Sequence, residues 1–80
     1  MQTRPRHPMP NDVLAALTEA GVLDAYHERP PYQRNDYLGW IERAKRPETR
    51  AKRIAQMLAE LSRGGVYMGM RHNASDRRDG

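Results

Sequence analysis

Residues 37–61, YLGWIERAKRPETRAKRIAQMLAEL, contain two helical repeats of apolar side chains separated by one proline. The first repeat has the spacing i, i+3, i+4, i+7 and comprises Tyr37, Trp40, Ile41 and Ala44. The second has the spacing i, i+3, i+7, i+10 and comprises Ala51, Ile54, Leu58 and Leu61. Such periods are typical of helices with one buried face. Pro47 cannot continue the first helix but suits the first position of the second. The stretch therefore predicts two helices joined at Arg46-Pro47.

The outer ends of this helix pair are marked by proline and glycine. The third helix of the chain is expected to begin near Pro31 or Tyr32 and to run to about Lys45. The fourth is expected to end at Gly64-Gly65, because glycine is the usual residue after a helix C-terminus.

Two shorter helices are predicted upstream. Asn11 resembles an N-cap for a helix that ends near Gly21. A second short helix is expected between Val22 and Glu28, because residues before Pro30-Pro31 are driven out of the helical region.

The resulting prediction is an all-α, small single-domain helical bundle, in which two short helices precede an antiparallel pair of longer ones. Residues 1–8 are predicted to be a flexible tail, 9–66 the helical domain, and 67–80 a mostly disordered tail, although the apolar residues 66–70 could fold back onto the core. The predicted core comprises Val13, Leu14, Leu17, Leu23, Tyr26, Tyr37, Trp40, Ile41, Ala44, Ile54, Met57, Leu58 and Leu61.

The composition limits the classes of function. Eighty residues with 38% hydrophobic content form one small core, so a deep substrate pocket is not expected. The chain has no cysteine, no apolar segment of a signal peptide and no run of about 20 apolar residues, so we expect a soluble, cytoplasmic protein. Its net charge of +4 favours anionic partners.

Residue patterns for catalysis and metal binding are missing from the sequence. The three histidines, His7, His27 and His72, have no helical metal-binding spacing. No nucleophile–base pair, phosphate loop or paired carboxylates can be assembled. We therefore expect no enzymatic activity, no metal and no cofactor.

Five basic residues near the Pro47 turn form the candidate partner-binding face: Arg43, Lys45, Arg46, Arg50 and Arg53. One interpretation is a solvated helix surface in which Arg50 is half-buried and donates to a carboxylate such as Glu42. The other is an anion-binding patch assisted by the free N–H groups of the fourth helix. Glu48 would repel a phosphate there. A helix-turn-helix is a third possibility, but Gln56 is the only amide on the outward face for reading bases.

The same segment resembles the YdeI/OmpD-associated family of bacterial proteins. The matching residues are Tyr37, Trp40, Ile41, Ala44, Lys45, Glu48, Thr49, Arg50, Arg53 and Ile54, with Pro10, Leu17, Tyr26 and Pro31 in plausible places upstream. The resemblance covers about residues 10–64. Arg29 departs from it, because an apolar residue is expected before the double proline. The resemblance implies association with an outer-membrane porin and protection against bacteriocins or cationic peptides, and it implies no reaction.

These observations lead to three functional hypotheses. The first is a non-enzymatic interaction module that binds an acidic protein or envelope-associated partner through the basic face. The second is non-specific nucleic-acid binding through phosphate contacts of the same face. The third is a domain that works only beside a separate catalytic domain.

Overall fold

The computed structural model describes residues 8–71 and contains four helices followed by a short hairpin. The helices are α1 (Asn11–Ala20), α2 (Leu23–Glu28), α3 (Pro31–Glu42) and α4 (Pro47–Arg63). These four helices confirm the all-α class and the order of two shorter and two longer helices. The antiparallel orientation of the two longer helices stays a prediction. Of the predicted tails, residues 1–8 and 67–80, the segments 1–7 and 72–80 lie outside the described residues, whereas residues 67–71 belong to the hairpin.

Proline and glycine set most helix boundaries, as predicted. Pro31 and Pro47 each begin a helix, and Gly64 follows the last residue of α4. Gly21 ends α1 with a φ of 73°, and its N–H and that of Val22 bond to the last carbonyls of the helix. Glycine suits this position because it adopts positive φ without steric cost.

Two boundary predictions were wrong. Asn11 is the first helical residue of α1, and Pro10 takes the cap position with no side-chain hydrogen bond. Helix α3 ends at Glu42 and not near Lys45. Residues 44–46 are non-helical and connect α3 to α4, because Arg46 must be extended before a proline.

The hairpin after α4 is a feature that the sequence pattern did not predict. Strands β1 (Val66–Tyr67) and β2 (Met70–Arg71) pair antiparallel, with Tyr67 opposite Met70. Met68 and Gly69 form the two-residue turn with φ values of 54° and 82°. Positive φ at both positions is typical of a type I′ turn, whose twist matches that of the strands.

The core draws residues from all four helices and from β1. Its buried apolar side chains are Val13, Leu17, Val22, Tyr26, Tyr37, Leu38, Ile41, Met57, Leu61 and Tyr67. Leu14 was predicted to be buried but is 41% exposed, so that prediction was wrong. Helix α1 buries the narrower stripe of Val13 and Leu17. Partly buried residues surround the core, among them Trp40, Ile54 and Leu58.

Buried polar groups connect the helices to one another. Arg29 is 6% exposed, and its guanidinium donates to Gln33 Oε1 and to the carbonyl of Glu60, both at 3.1 Å. The apolar residue expected at this position is thus replaced by a charged group whose hydrogen bonds hold α3 and α4 together. This explains how the segment after α2 packs despite its charge, since a buried charge requires such partners.

Candidate functional site

The five candidate cations lie around the connection between α3 and α4, but they have different environments. Arg43 caps the C-terminus of α3, and Lys45 and Arg46 lie in the connection. Arg50 and Arg53 lie in the first two turns of α4. The structure therefore brings the five together in one region and separates them by what each contacts.

Arg50 forms an ion-pair cluster with two acidic residues. Its Nε and Nη2 donate to the two carboxylate oxygens of Asp12 at 2.9 and 3.0 Å, and Nη2 also lies 3.3 Å from Glu42 Oε2. The hydrogen bond to Asp12 is the main reason that the pKa of Arg50 is raised and the pKa of Asp12 is lowered. Arg50 joins α1, α3 and α4, so its charge is neutralised within the molecule.

The contact with Glu42 confirms the interpretation of Arg50 as a half-buried arginine bound to a carboxylate. The pairing with Asp12 was not predicted, because the two residues are 38 positions apart in the sequence. No local pattern could show that the start of α1 lies beside the start of α4.

Arg53 contacts Trp40 in two ways. Its Nη1 donates to the Trp40 carbonyl at 2.7 Å, and its guanidinium carbon lies 5.3 Å from the centre of the indole ring. This distance is within the range of a cation–π interaction. The backbone N–H groups of Arg43 and Ala44 bond to the carbonyls of Gly39 and Ile41, and Arg53 supplies a donor for the carbonyl of Trp40 near the same helix end. We call this stacked pair the Trp40–Arg53 ridge.

Arg43, Lys45 and Arg46 are exposed to solvent. Arg46 lies 3.8 Å from Glu48, and both side chains are more than 70% exposed. Within residues 8–71, neither Arg43 nor Lys45 forms an ion pair with a described acidic residue. These three cations are therefore the members of the predicted face whose charge is available at the surface.

Two depressions border the Trp40–Arg53 ridge, the first at Trp40 and the second at Arg53. The first, of about 390 Å³, lies between α3 and the hairpin, and its walls include Asn35, Asp36, Trp40, Arg43, Tyr67 and Met68. The second, of about 590 Å³, lies on the outer face of α4, and its walls are Thr49, Lys52, Arg53, Ala55 and Gln56. Each depression thus contains an exposed cation, Arg43 in the first and Lys52 in the second.

The hairpin wall of the first depression is fixed to the helices. The Glu60 carboxylate accepts hydrogen bonds from Met68 N at 2.8 Å and Gly69 N at 2.7 Å, and the Tyr67 hydroxyl donates to Asp36 Oδ2 at 2.5 Å. Both contacts link residues after α4 to α3 or α4. The depression is therefore a preformed feature of the fold.

Sequence reasoning missed several of these residues. Trp40 was assigned to the core but is half-buried and lines a surface depression. Lys52 lies at the second depression, outside the five predicted cations. The hairpin residues could not be placed because their position depends on contacts with Glu60 across the structure.

Neither a metal cluster nor a membrane-spanning helix occurs in the described part of the chain. No group of three or more metal-binding side chains converges within residues 8–71. None of the four helices combines the length and hydrophobicity that crossing a bilayer requires.

Comparison with known proteins identifies the family. Residues 7–64 match the family model described as "Bacteriocin-protection, YdeI or OmpD-Associated" (OmdA). The match spans all four helices and stops before the hairpin. The chain belongs to this family, as the resemblance predicted. No curated protein and no solved structure matches the chain significantly.

Proposed function

We propose that this member of the YdeI/OmpD-associated family is a non-enzymatic, cytoplasmic interaction module, which binds an acidic protein or envelope-associated partner through exposed cations near the α3–α4 connection. The setting suggested by the family description is protection against bacteriocins. The proposal is supported by one observation above all. Arg43, Lys45 and Arg46 are exposed beside an arginine, Arg50, that is already neutralised by Asp12 and Glu42.

The ion-pair cluster of Arg50, Asp12 and Glu42 supports this role by fixing the position of the exposed cations. Arg50 ties the start of α4 to the start of α1 and the end of α3, so the connection that carries the exposed cations has fixed ends. A preorganised surface loses less conformational entropy on binding than a mobile one. The charges therefore lie on a defined surface and not on a flexible tail.

Charge reversal of the exposed cations tests the proposal. The immobilised protein and the variant Arg43→Glu, Lys45→Glu, Arg46→Glu would be used to capture partners from native bacterial lysate, with and without nuclease. Arg63→Glu serves as the control, because Arg63 is an exposed cation in the last turn of α4. Thermal melts would establish that all variants are folded.

The expected result is a captured protein that the triple variant loses and the Arg63→Glu control retains. Capture that is unchanged in the triple variant would refute the proposed surface. Capture that depends on nucleic acid, with a steep loss of affinity as salt rises, would favour phosphate binding instead.

A further inference from the structure

We infer that the Trp40–Arg53 ridge and its two depressions form the docking site for an acidic peptide segment of a partner protein, in which carboxylates are interspersed with apolar side chains. This inference rests on the proposed function and narrows it, because it identifies a surface beyond the connection cations and specifies the chemistry of the ligand.

The first argument is the combination of charge and apolar surface. Arg43 and Lys52 are exposed cations, one in each depression. The half-buried indole of Trp40 and the partly buried Met68 line the first depression together with Arg43. Carboxylates of a bound segment would pair with the cations, and an apolar side chain would pack against the indole and the thioether.

The second argument is rigidity. The Arg53 guanidinium lies over the indole of Trp40, 5.3 Å from the ring centre, and is itself fixed by a 2.7 Å hydrogen bond to the Trp40 backbone carbonyl. Glu60 holds the turn that carries Met68. Both walls of the first depression are thus fixed before any ligand arrives. Large aromatic side chains with restricted motion are the residues that contribute most to binding at interfaces.

The third argument favours a peptide over a nucleic acid. Asp36 lines the first depression, and its carboxylate would repel a continuous line of phosphates. An acidic peptide can place an apolar residue near Asp36 and its carboxylates near Arg43 and Lys52. The mixed character of the surface therefore matches a mixed ligand better than a uniform polyanion.

Trp40 provides a direct readout, because it is the only tryptophan in the chain. The full chain would be titrated with three synthetic peptides of equal length. The first alternates Glu with Leu, the second replaces Glu by Gln, and the third replaces Leu by Ser. A single-stranded oligothymidine of similar charge is the fourth probe. Trp40 emission and an independent label on each probe would be recorded together.

The expected result is binding of the Glu/Leu peptide with a change in Trp40 emission. Affinity for the Gln/Leu and Glu/Ser peptides should be at least about tenfold weaker, because each lacks one of the two contacts. Arg43→Gln and Lys52→Gln should each lower the affinity for the Glu/Leu peptide by about two- to fivefold. Lys45→Gln and Arg46→Gln remove the same charge from the connection and should have a smaller effect, whereas the matched control Arg63→Gln removes an exposed charge in the last turn of α4 and should leave the affinity unchanged.

Other outcomes would overturn the inference in distinguishable ways. Binding that leaves Trp40 emission unchanged and is weakened most by Lys45→Gln and Arg46→Gln would reject the ridge and retain the connection as the binding surface. Preference for oligothymidine would reject a peptide ligand. If none of the acidic probes binds, the inference of a docking site at the ridge is refuted. The proposed function then depends on its own capture experiment with natural partners.

Discussion

The Tyr37 hydroxyl donates a hydrogen bond to the Glu60 carboxylate inside the core and joins α3 to α4. Gln56 Nε2 and the N–H groups of Met68 and Gly69 also donate to this carboxylate. Burial, together with the adjacent Glu60, raises the pKa of Tyr37. Burial alone would raise the pKa of Glu60, but its four hydrogen-bond donors outweigh that effect and lower it. Glu60 is therefore an ionised acceptor and Tyr37 a protonated donor at neutral pH.

Removing the Tyr37 hydroxyl should destabilise the protein. In Tyr37→Phe, the Glu60 carboxylate loses the buried hydroxyl donor and keeps its other three hydrogen-bond donors. We expect the free energy of unfolding to fall by about 1–3 kcal/mol. Urea denaturation monitored by circular dichroism would measure this change in the free energy of unfolding. Tyr26→Phe is the control, because the Tyr26 hydroxyl makes no hydrogen bond to a described residue and its loss should cost less than about 0.5 kcal/mol. Equal losses in both variants would mean that the contact with Glu60 contributes nothing specific.

The lowered pKa of Glu60 predicts acid destabilisation. A carboxyl group whose folded pKa lies below its unfolded value of about 4.5 contributes stability that is complete above the unfolded pKa and is lost as pH falls through the folded pKa. Asp12 acts in the same direction, but it is more than half exposed and screened by solvent, so its contribution is smaller.

Urea unfolding at a series of pH values between about 7 and 2.5 would test this dependence. Glu60→Gln should be less stable than the wild type at neutral pH and should lose less stability on acidification. Asp12→Asn should keep most of the wild-type slope. A Glu60→Gln variant with an undiminished slope would assign the acid sensitivity to other carboxyl groups.

Arg29 is predicted to be more important for stability than an exposed arginine. Arg29→Met removes two buried hydrogen bonds, to Gln33 Oε1 and to the Glu60 carbonyl, which keeps only its bond from Gly64 N, and we expect the free energy of unfolding to fall by about 1–3 kcal/mol in total. Arg29→Lys should recover only part of the loss, because an ammonium lacks the forked geometry that reaches both acceptors. Arg63→Met is the control, and chemical denaturation is the measurement. A stable Arg29→Met would show that apolar packing substitutes fully for the buried charge.

Arg53 should determine the environment of Trp40. In Arg53→Gln the guanidinium no longer covers the indole, so we expect red-shifted emission and stronger quenching by acrylamide, with a stability loss of about 0.5–1 kcal/mol. Lys52→Gln removes a neighbouring charge without touching the ring and should leave the spectrum unchanged. Identical quenching in the wild type and Arg53→Gln would contradict the stacked geometry.

The Arg50–Asp12 pair should contribute modestly and in a salt-dependent way. A double-mutant cycle with Asp12→Asn and Arg50→Gln should give a coupling of about 0.2–1 kcal/mol, because the carboxylate is largely exposed. Raising the salt concentration to about 1 M should reduce the coupling, since the Debye length falls to about 3 Å. A coupling that salt leaves unchanged would argue against an electrostatic origin.

The helices could be predicted because their signals are local. Pro31, Pro47, Gly21 and Gly64 limit backbone conformations wherever they occur, so two helix starts and two helix ends followed directly from them. The start of α1 was misplaced because Asn11 has the chemistry of a cap but makes no capping bond. Leu14 was misassigned because spacing alone does not determine how wide a stripe the neighbouring helices cover.

The sequence by itself determined the four helices, the family and the position of the basic residues. Helical periodicity, proline and glycine boundaries and short sequence motifs all depend on residues that are close together in the chain. Only the tertiary structure decided which cations are available. Arg50 is neutralised by Asp12, Arg53 stacks on Trp40, and Arg43 stays exposed. The physical reason is that ion pairs and stacking act over a few ångströms in space, and the partners concerned lie 38 and 13 residues apart along the chain.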